Sequence, residues 1–264
     1  MEIPSWKNRL SDLPLGEIYI YEQVGSTNQV AEKLILDGAP PFSLVLADYQ
    51  TAGQGRHGRS WETRAGAALA FSLIVYPDPE WISPDTLGKL SGLGALAVTE
   101  VFKSDYQLAA EIKWPNDVLV NGRKVCGVLV DVLWTGSHLK GAVIGIGINV
   151  SSGSVPEEKN LNFPADSLEG ATGKEISRLE LLVRVLESLL KWYPELPSRI
   201  LTVAWQEKLA YQNETVTLKI GEDLIDRGQQ LGLSEEGALI LLSESGEERK
   251  YWNGEIQLRL VDRS

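Results

Sequence analysis

Residues 50–61, Gln-Thr-Ala-Gly-Gln-Gly-Arg-His-Gly-Arg-Ser-Trp, carry the densest chemical potential in the chain. Glycines at 53, 55 and 58 permit backbone conformations that a side chain would forbid, and they let a ligand approach the main chain closely, so the stretch reads as a mobile loop. Arg56, His57 and Arg59 set two fixed positive charges and one titratable ring in a chain of formal net charge -11. Guanidinium forks recognise carboxylate and phosphate bidentately, which points to a loop closing over an anionic ligand. A solvated basic turn has the same composition, and for a short Gly/Arg loop taken alone it is the commoner case.

Two further stretches hold chemistry-bearing residues. In Glu111-Ile112-Lys113-Trp114-Pro115-Asn116-Asp117, Pro115 pushes Trp114 towards an extended conformation, so Lys113 is expected at a strand end as a rigidly directed ammonium. Gly25-Ser26-Thr27-Asn28 precedes an amphipathic run in which Val30, Ala31, Leu34 and Ile35 share a face that stops at Gly38. Capping accounts for one of Ser26 and Thr27; the three polar side chains fit a plain helix start or, equally, a site for an uncharged polar ligand.

The elements that must position these groups are legible from periodicity. Strands are expected over Glu17 to Glu22, Ser43 to Asp48 and Ala67 to Val75, then a helix opening at Ser83–Pro84 and running to about Phe102. Gly88, Gly92 and Gly94 lower that helix's propensity and suggest close packing against a sheet. Asn121-Gly122 is a strong hairpin signal between Val118-Leu119-Val120 and the run Val125 to Trp134, which is apolar on both faces apart from Asp131 and so central. Leu139 to Val150 follows as a strand with glycines at 141, 145 and 147, leaving room for a flat ligand on the sheet. Residues 151–174 read as a long loop, and Ser177 with Glu180 forms a capping box for a helix whose stripe is Leu179, Leu182, Val183, Leu186 and Leu190. A shorter helix is expected around Ser198 to Lys208. From about Gln212 the pattern changes to short strands, a β unit of about fifty residues docked on the larger domain.

Composition narrows the function classes. With one cysteine, Cys126, and two histidines, an internal disulfide and a Cys/His zinc site are excluded; Cys126 sits in an apolar run and reads as a buried hydrophobe. A pI near 4.8 argues against general nucleic-acid binding, because phosphate neutralisation supplies most of that affinity. The chain has neither a signal-peptide pattern nor an apolar run of about 20 residues, so a cytoplasmic protein is expected.

Together with Gly145-Ile146-Gly147-Ile148-Asn149 and a β tail bearing Gly254-Glu255, the Gly25, Gln50 and Lys113 stretches, in this order and over nearly the whole chain, resemble the biotin-protein ligases. The resemblance implies an α+β fold, a mixed β-sheet flanked by helices (residues 1–211), followed by a small Src-homology-3-like β-barrel (residues 212–264). It implies activation of biotin by ATP, with Mg²⁺, to biotinyl-5′-AMP, and transfer to a lysine of a biotin carboxyl carrier protein such as an acetyl-CoA carboxylase subunit. Lys113 and Arg56 are the implied catalytic residues. Ser26, Thr27, Asn28, Gln50, Gly53, Gln54, Gly55, Arg56, Lys113, Gly127 and Gly147 are implied at the biotin side, and Arg56, Arg59, Trp61, Lys113, Asn116, Lys124 and Asn149 at the adenylate side; no metal ligand is assigned. Gln54 departs from the family's usual arginine and supplies no charge. The neighbouring alternatives are a lipoate-protein ligase, whose ligand lacks a ureido ring for the Ser-Thr-Asn cluster and Gln50 to bind, and a biotin-sensing repressor. Fewer than twenty residues precede the first strand, too few for a helix-turn-helix, so no DNA partner is expected; nor is a membrane partner, and a homodimer is left open.

Overall fold

The first strand is preceded by a helix that the sequence pattern does not announce, α1 (Ile3–Leu10), which buries Trp6 and Leu10 one turn apart. The computed structural model describes residues 3–62, 64–81, 83–155, 163–220 and 223–258. Strand β1 (Ile18–Val24), helix α2 (Thr27–Leu36) and strand β2 (Leu44–Gln50) form a parallel crossover unit. Parallel neighbours need such a connection, and α2 supplies it. Strand β3 (Ala68–Val75), the long helix α3 (Pro84–Tyr106), and strands β4 (Ala110–Lys113), β5 (Asp117–Val120), β6 (Arg123–Thr135) and β7 (His138–Asn149) complete a seven-stranded mixed sheet of order β1-β2-β3-β7-β6-β5-β4.

The two faces of this sheet have different tasks. Alternate residues on the α3 side, among them Leu69, Phe71, Leu73, Ile144, Ile146 and Ile148, belong to the main core with α3 and with α5 (Arg178–Trp192). On the other side α2 packs Ala31 and Ile35 over Val45, Ile74 and Val143, and the core there is small. Side chains directly opposite on antiparallel strands share a face, so the register generates two rows on the α2 side. One is Ala70–Gly147–Gly127–Asp117; the next is Ser72–Gly145–Leu129. Small residues predominate in both, which leaves a concave floor beside the N-terminus of α2.

Helix α3 begins at Ser83, whose side chain accepts from Thr86 N, as its sequence signal implies. Its glycines have separate causes. A Cβ at Gly94 would press on Val128 and Ile144 of the sheet, one at Gly92 would overlap the Trp205 ring of α6 (Arg199–Gln206), and Gly88 meets nothing. Close approach to the sheet therefore accounts for one of the three. The expected long loop at 151–174 contains a helix, α4 (Leu168–Thr172), with Ser167 accepting from Gly170 N; residues 156–162 lie outside the described part.

The second sheet is antiparallel: β8 (Thr215–Ile220), β9 (Asp223–Leu233), β10 (Leu239–Leu242), β11 (Glu248–Tyr251) and β12 (Glu255–Leu258), in order β11-β10-β9-β8-β12. It is Src-homology-3-like. Strand β11, Glu-Arg-Lys-Tyr, is too polar for a periodicity signal and forms through pairing with β10. Val216, Leu218, Leu239, Leu241 and Ile256 join the main core, and Trp114 Nε1 donates to the Gly237 carbonyl at 3.2 Å. The barrel is thereby fixed to the residue that follows Lys113.

Candidate active site

A cavity of about 480 Å³ lies over the two small-residue rows, between the start of α2, the 53–62 segment and the first residue of β12. At one end stand Ser26, Thr27, Asn28 and Gln50, all buried. Ser26 occupies the N-cap position of α2 but makes no side-chain capping bond. Thr27 donates from both N and Oγ1 to Gln50 Oε1, at 2.8 and 3.1 Å. Neither hydroxyl is therefore consumed by capping. Ser72, wholly buried on β3, reaches Thr27 Oγ1 at 2.8 Å and Asn28 Oδ1 at 2.6 Å, while Asn28 Nδ2 donates to Asp131 Oδ2 at 2.7 Å and the Leu129 carbonyl at 3.3 Å.

The other end is built from charges. Lys113 ends β4 with 1% of its side chain exposed, and its Nζ lies 3.1 Å from Glu255 Oε1 and 3.7 Å from Asp117 Oδ2. The Phe163 ring sits 4.1 Å from the same ammonium. Lys124 Nζ holds Asp117 Oδ1 at 2.6 Å, and Arg59 Nη2 holds Glu255 Oε2 at 2.8 Å. Arg56 Nη1 donates to the Gly254 carbonyl at 3.0 Å and to Asn116 Oδ1 at 3.4 Å; its Nη2 donates to Asn253 Oδ1 at 2.7 Å. Burial would raise the Glu255 carboxyl, but the Lys113 and Arg59 cations outweigh it and hold it down at about 2. Burial pulls the Arg56 pKa down, opposed by Asp117 and Glu255. Burial lowers His57 too, and Arg56 and Arg59 push the same way.

The expected mobile loop is a small hairpin. Gln54 bridges Ser60, Gly55 N donates to the Arg59 carbonyl, Trp61 N donates to the Gly53 carbonyl, and His57 and Gly58 take left-handed conformations at the tip. Its Trp61 ring lies on the floor: a Cβ at Gly147 would overlap the indole and one at Gly127 would crowd it. The space expected for a flat ligand at Gly147 is thus taken by Trp61, that at Gly145 by the Asn28 amide, and that at Gly141 by Tyr76 and Ile35. Trp61 Nε1 is buried without a partner, an open donor at this end of the cavity.

Of the residues singled out from sequence, Ser26, Thr27, Asn28, Gln50, Gln54, Gly55, Arg56, Arg59, Trp61, Lys113, Asn116, Lys124, Gly127, Gly147 and Asn149 line this one cavity. His57 and Gly141 are not among them, and neither is Gly53. A Cβ at Gly53 would collide with the Trp61 carbonyl, so it is a glycine because the hairpin closes on it. Asp117, Phe163 and Glu255 line the cavity as well, and Ser72 and Asp131 stand behind it. Asp117 and Glu255 were within reach of sequence reasoning, adjoining Asn116 and Gly254. Ser72 and Asp131 carried a weaker signal, polar residues in otherwise apolar runs; Phe163 carried none.

A profile of the Biotin/lipoate A/B protein ligase family matches residues 20–149. The bifunctional ligase/repressor BirA of Bacillus subtilis is 33% identical over 252 residues, which cover 92% of this chain and 75% of that protein. The chain belongs to the biotin protein ligase family. The biotin–[acetyl-CoA-carboxylase] ligase of Paracoccus denitrificans is 32% identical over 230 residues, 84% of this chain and 92% of that protein. Among solved structures, the biotin protein ligase from Aquifex aeolicus in complex with biotin and ATP has a TM-score of 0.76 at 31% identity, covering 92% of this chain and 98% of its own. No helix of the described residues is long and apolar enough to cross a membrane.

Proposed function

We propose that the chain joins biotin to ATP, giving biotinyl-5′-AMP and pyrophosphate, and then transfers biotin to a lysine of a biotin carboxyl carrier protein of the acetyl-CoA carboxylase type. One observation carries the reading. An uncharged polar pocket and a four-cation cluster share one cavity, with the buried Lys113 ammonium in that cluster. A ureido ring suits the first, and a carboxylate meeting a phosphate suits the second. Residues 1–211 would form the catalytic unit, and 212–264 the barrel that supplies Glu255.

The chemistry asks for little acid–base work. The biotin carboxylate is already ionised, and its attack on the α-phosphate is opposed by like-charge repulsion. Lys113, Arg56, Arg59 and Lys124 would stabilise the charge that gathers in the transition state, and in a site closed to water fixed cations act far more strongly than in solution. Positioning and electrostatics suffice for phosphoryl chemistry of this kind. Hairpin 53–62 and the Trp61 ring would exclude water from the labile mixed anhydride. Among the described residues no group of three His, Cys, Asp or Glu side chains could hold a metal ion. Of the three carboxylates lining the cavity, Glu62, Asp117 and Glu255, the last two are engaged by cations. The residues thus do not form a metal cage, and Mg²⁺ would enter with the triphosphate.

Incubation with biotin, ATP, Mg²⁺ and a carrier domain, followed by intact-mass spectrometry, tests the reading. The expected product is a carrier carrying one biotin. Failure to exchange labelled pyrophosphate into ATP in the presence of biotin would sink it.

A further inference from the structure

Asn28 is 4% exposed, and its amide fills the hollow that a side chain at Gly145 would occupy. The oxygen and nitrogen of an amide are almost the same size, so its neighbours decide which way it faces. Here they agree. The Leu129 carbonyl and the Asp131 carboxylate have no hydrogen to give, and both stand at Nδ2; the hydroxyl of Ser72 stands at Oδ1. Both Nδ2 hydrogens are engaged, so the polar capacity left to face the cavity is the second lone pair of Oδ1. The bond to Asp131 is charge-assisted and the shorter of the two made by Nδ2, which makes Asp131 the group with the strongest hold on the orientation.

We propose that Asp131 is a positioning residue for substrate choice. By fixing Nδ2 away from the ring pocket it makes Asn28 present an acceptor, and the site thereby selects a ring N–H over an isosteric ring oxygen. This rests on the biotin reading of the cavity. It assigns a role to the one acidic residue in the otherwise apolar run 125–134 of a central strand, a position that does not line the cavity and takes no part in the reaction. An oxygen at the same ring position would set two lone pairs against each other. A flipped amide would relieve that clash, but in the wild type the flip would turn Oδ1 towards the Asp131 carboxylate.

The test compares biotin with its two cyclic carbamate analogues, each with one ureido N–H replaced by oxygen, by titration calorimetry. Wild type should bind at least one carbamate about tenfold or more weakly than biotin. In Asp131→Asn, whose amide can serve either orientation of Asn28, that ratio should fall to within about threefold. Asp131→Glu, which keeps the carboxylate, should restore most of it. Ser72→Ala disturbs the same cluster without freeing the amide to turn and should keep the wild-type ratio. A wild-type ratio below threefold for both carbamates overturns the proposal without any variant, as does an unchanged ratio in Asp131→Asn. If wild type fails to bind biotin itself, the reading of the cavity fails with it; tight biotin binding without discrimination defeats the role of Asp131 alone.

Discussion

Lys113 Nζ stands 3.1 Å from Glu255 Oε1, joining the end of the fourth strand of the large sheet to the first residue of the last strand of the barrel across 142 positions of sequence. Glu255 also holds Arg59, so one carboxylate engages two of the cations that would receive an anionic substrate. The barrel thus supplies a charged wall of the site, and an incoming carboxylate or phosphate must compete with a resident anion.

Replacing Lys113 with alanine is expected to lower single-turnover adenylation by at least about a hundredfold, ~3 kcal/mol, as for loss of a preorganised oxyanion donor. Biotin binding should fall much less, because the uncharged pocket of Thr27, Asn28 and Gln50 is untouched. Rapid-quench adenylation within tenfold of wild type would remove Lys113 from the mechanism.

Glu255 gives a pH prediction with a definite sign. Its carboxyl is held at about 2 in the folded chain against an ordinary value of 4.5. A depressed folded pKa contributes stability that is present above the unfolded value and is lost as pH falls through the folded one. Wild type should therefore lose urea resistance more steeply than Glu255→Gln between about pH 4.5 and pH 2, and the two should run parallel above that window. Parallel curves throughout would mean that the pair contributes nothing to stability. The same substitution frees Lys113 and Arg59, and biotinyl-AMP should dissociate more slowly from it at neutral pH.

Arg56 ties the tip of the 53–62 hairpin to Asn253 and Gly254. In Arg56→Ala the hairpin keeps its internal bonds but loses this anchor. Small losses of alignment between reacting groups cost rate steeply, so adenylation should slow but remain measurable. Release of preformed biotinyl-AMP should be at least about tenfold faster, with stray biotinylation of exposed lysines, because the hairpin that covers it is loosened. Wild-type dissociation in stopped-flow fluorescence would contradict this.

The same hairpin predicts coupling between the substrates. Two cross-strand backbone bonds, which together make the Gln54–Ser60 bridge, close it internally, the Arg56 and Arg59 contacts to residues 253–255 are its outside anchors, and a two-stranded hairpin by itself is marginal in water. If biotin fixes roughly ten residues at about 1 kcal/mol each, the nucleotide meets an organised site. Biotin should then tighten binding of a non-hydrolysable ATP analogue several-fold, about 1 kcal/mol, equally in the reverse direction. Trp61, lying on Gly147 and Gly127, should report biotin by a fluorescence change that Trp61→Phe abolishes. Equal nucleotide affinity with and without saturating biotin would remove the ordering account and leave the family assignment standing.

The strands of the large sheet, the capped helix at Ser83, the Asn121-Gly122 hairpin and the position of Lys113 at a strand end were all written in local pattern, because periodicity, caps and turn residues act within a few positions of the chain. Arg56, Lys113 and the Ser26-Thr27-Asn28 run also stood out in their local contexts, whereas Asn116, Trp61, Lys124 and Asn149 came only with the family resemblance; all of them line the one cavity. What only the tertiary structure decided is which groups face one another. Glu255 meets Lys113 and Arg59 because the barrel shares its core with the large domain. Asp131 and Ser72 meet Asn28 because strand register sets Ser72 opposite Gly145 and Gly145 opposite Leu129, with α2 laid across them. Gly53 and Gly147 looked alike as ligand-facing glycines, but Gly53 is required by hairpin closure and Gly147 by the Trp61 ring. Such pairings depend on distances between segments far apart in the chain, and no local preference encodes them.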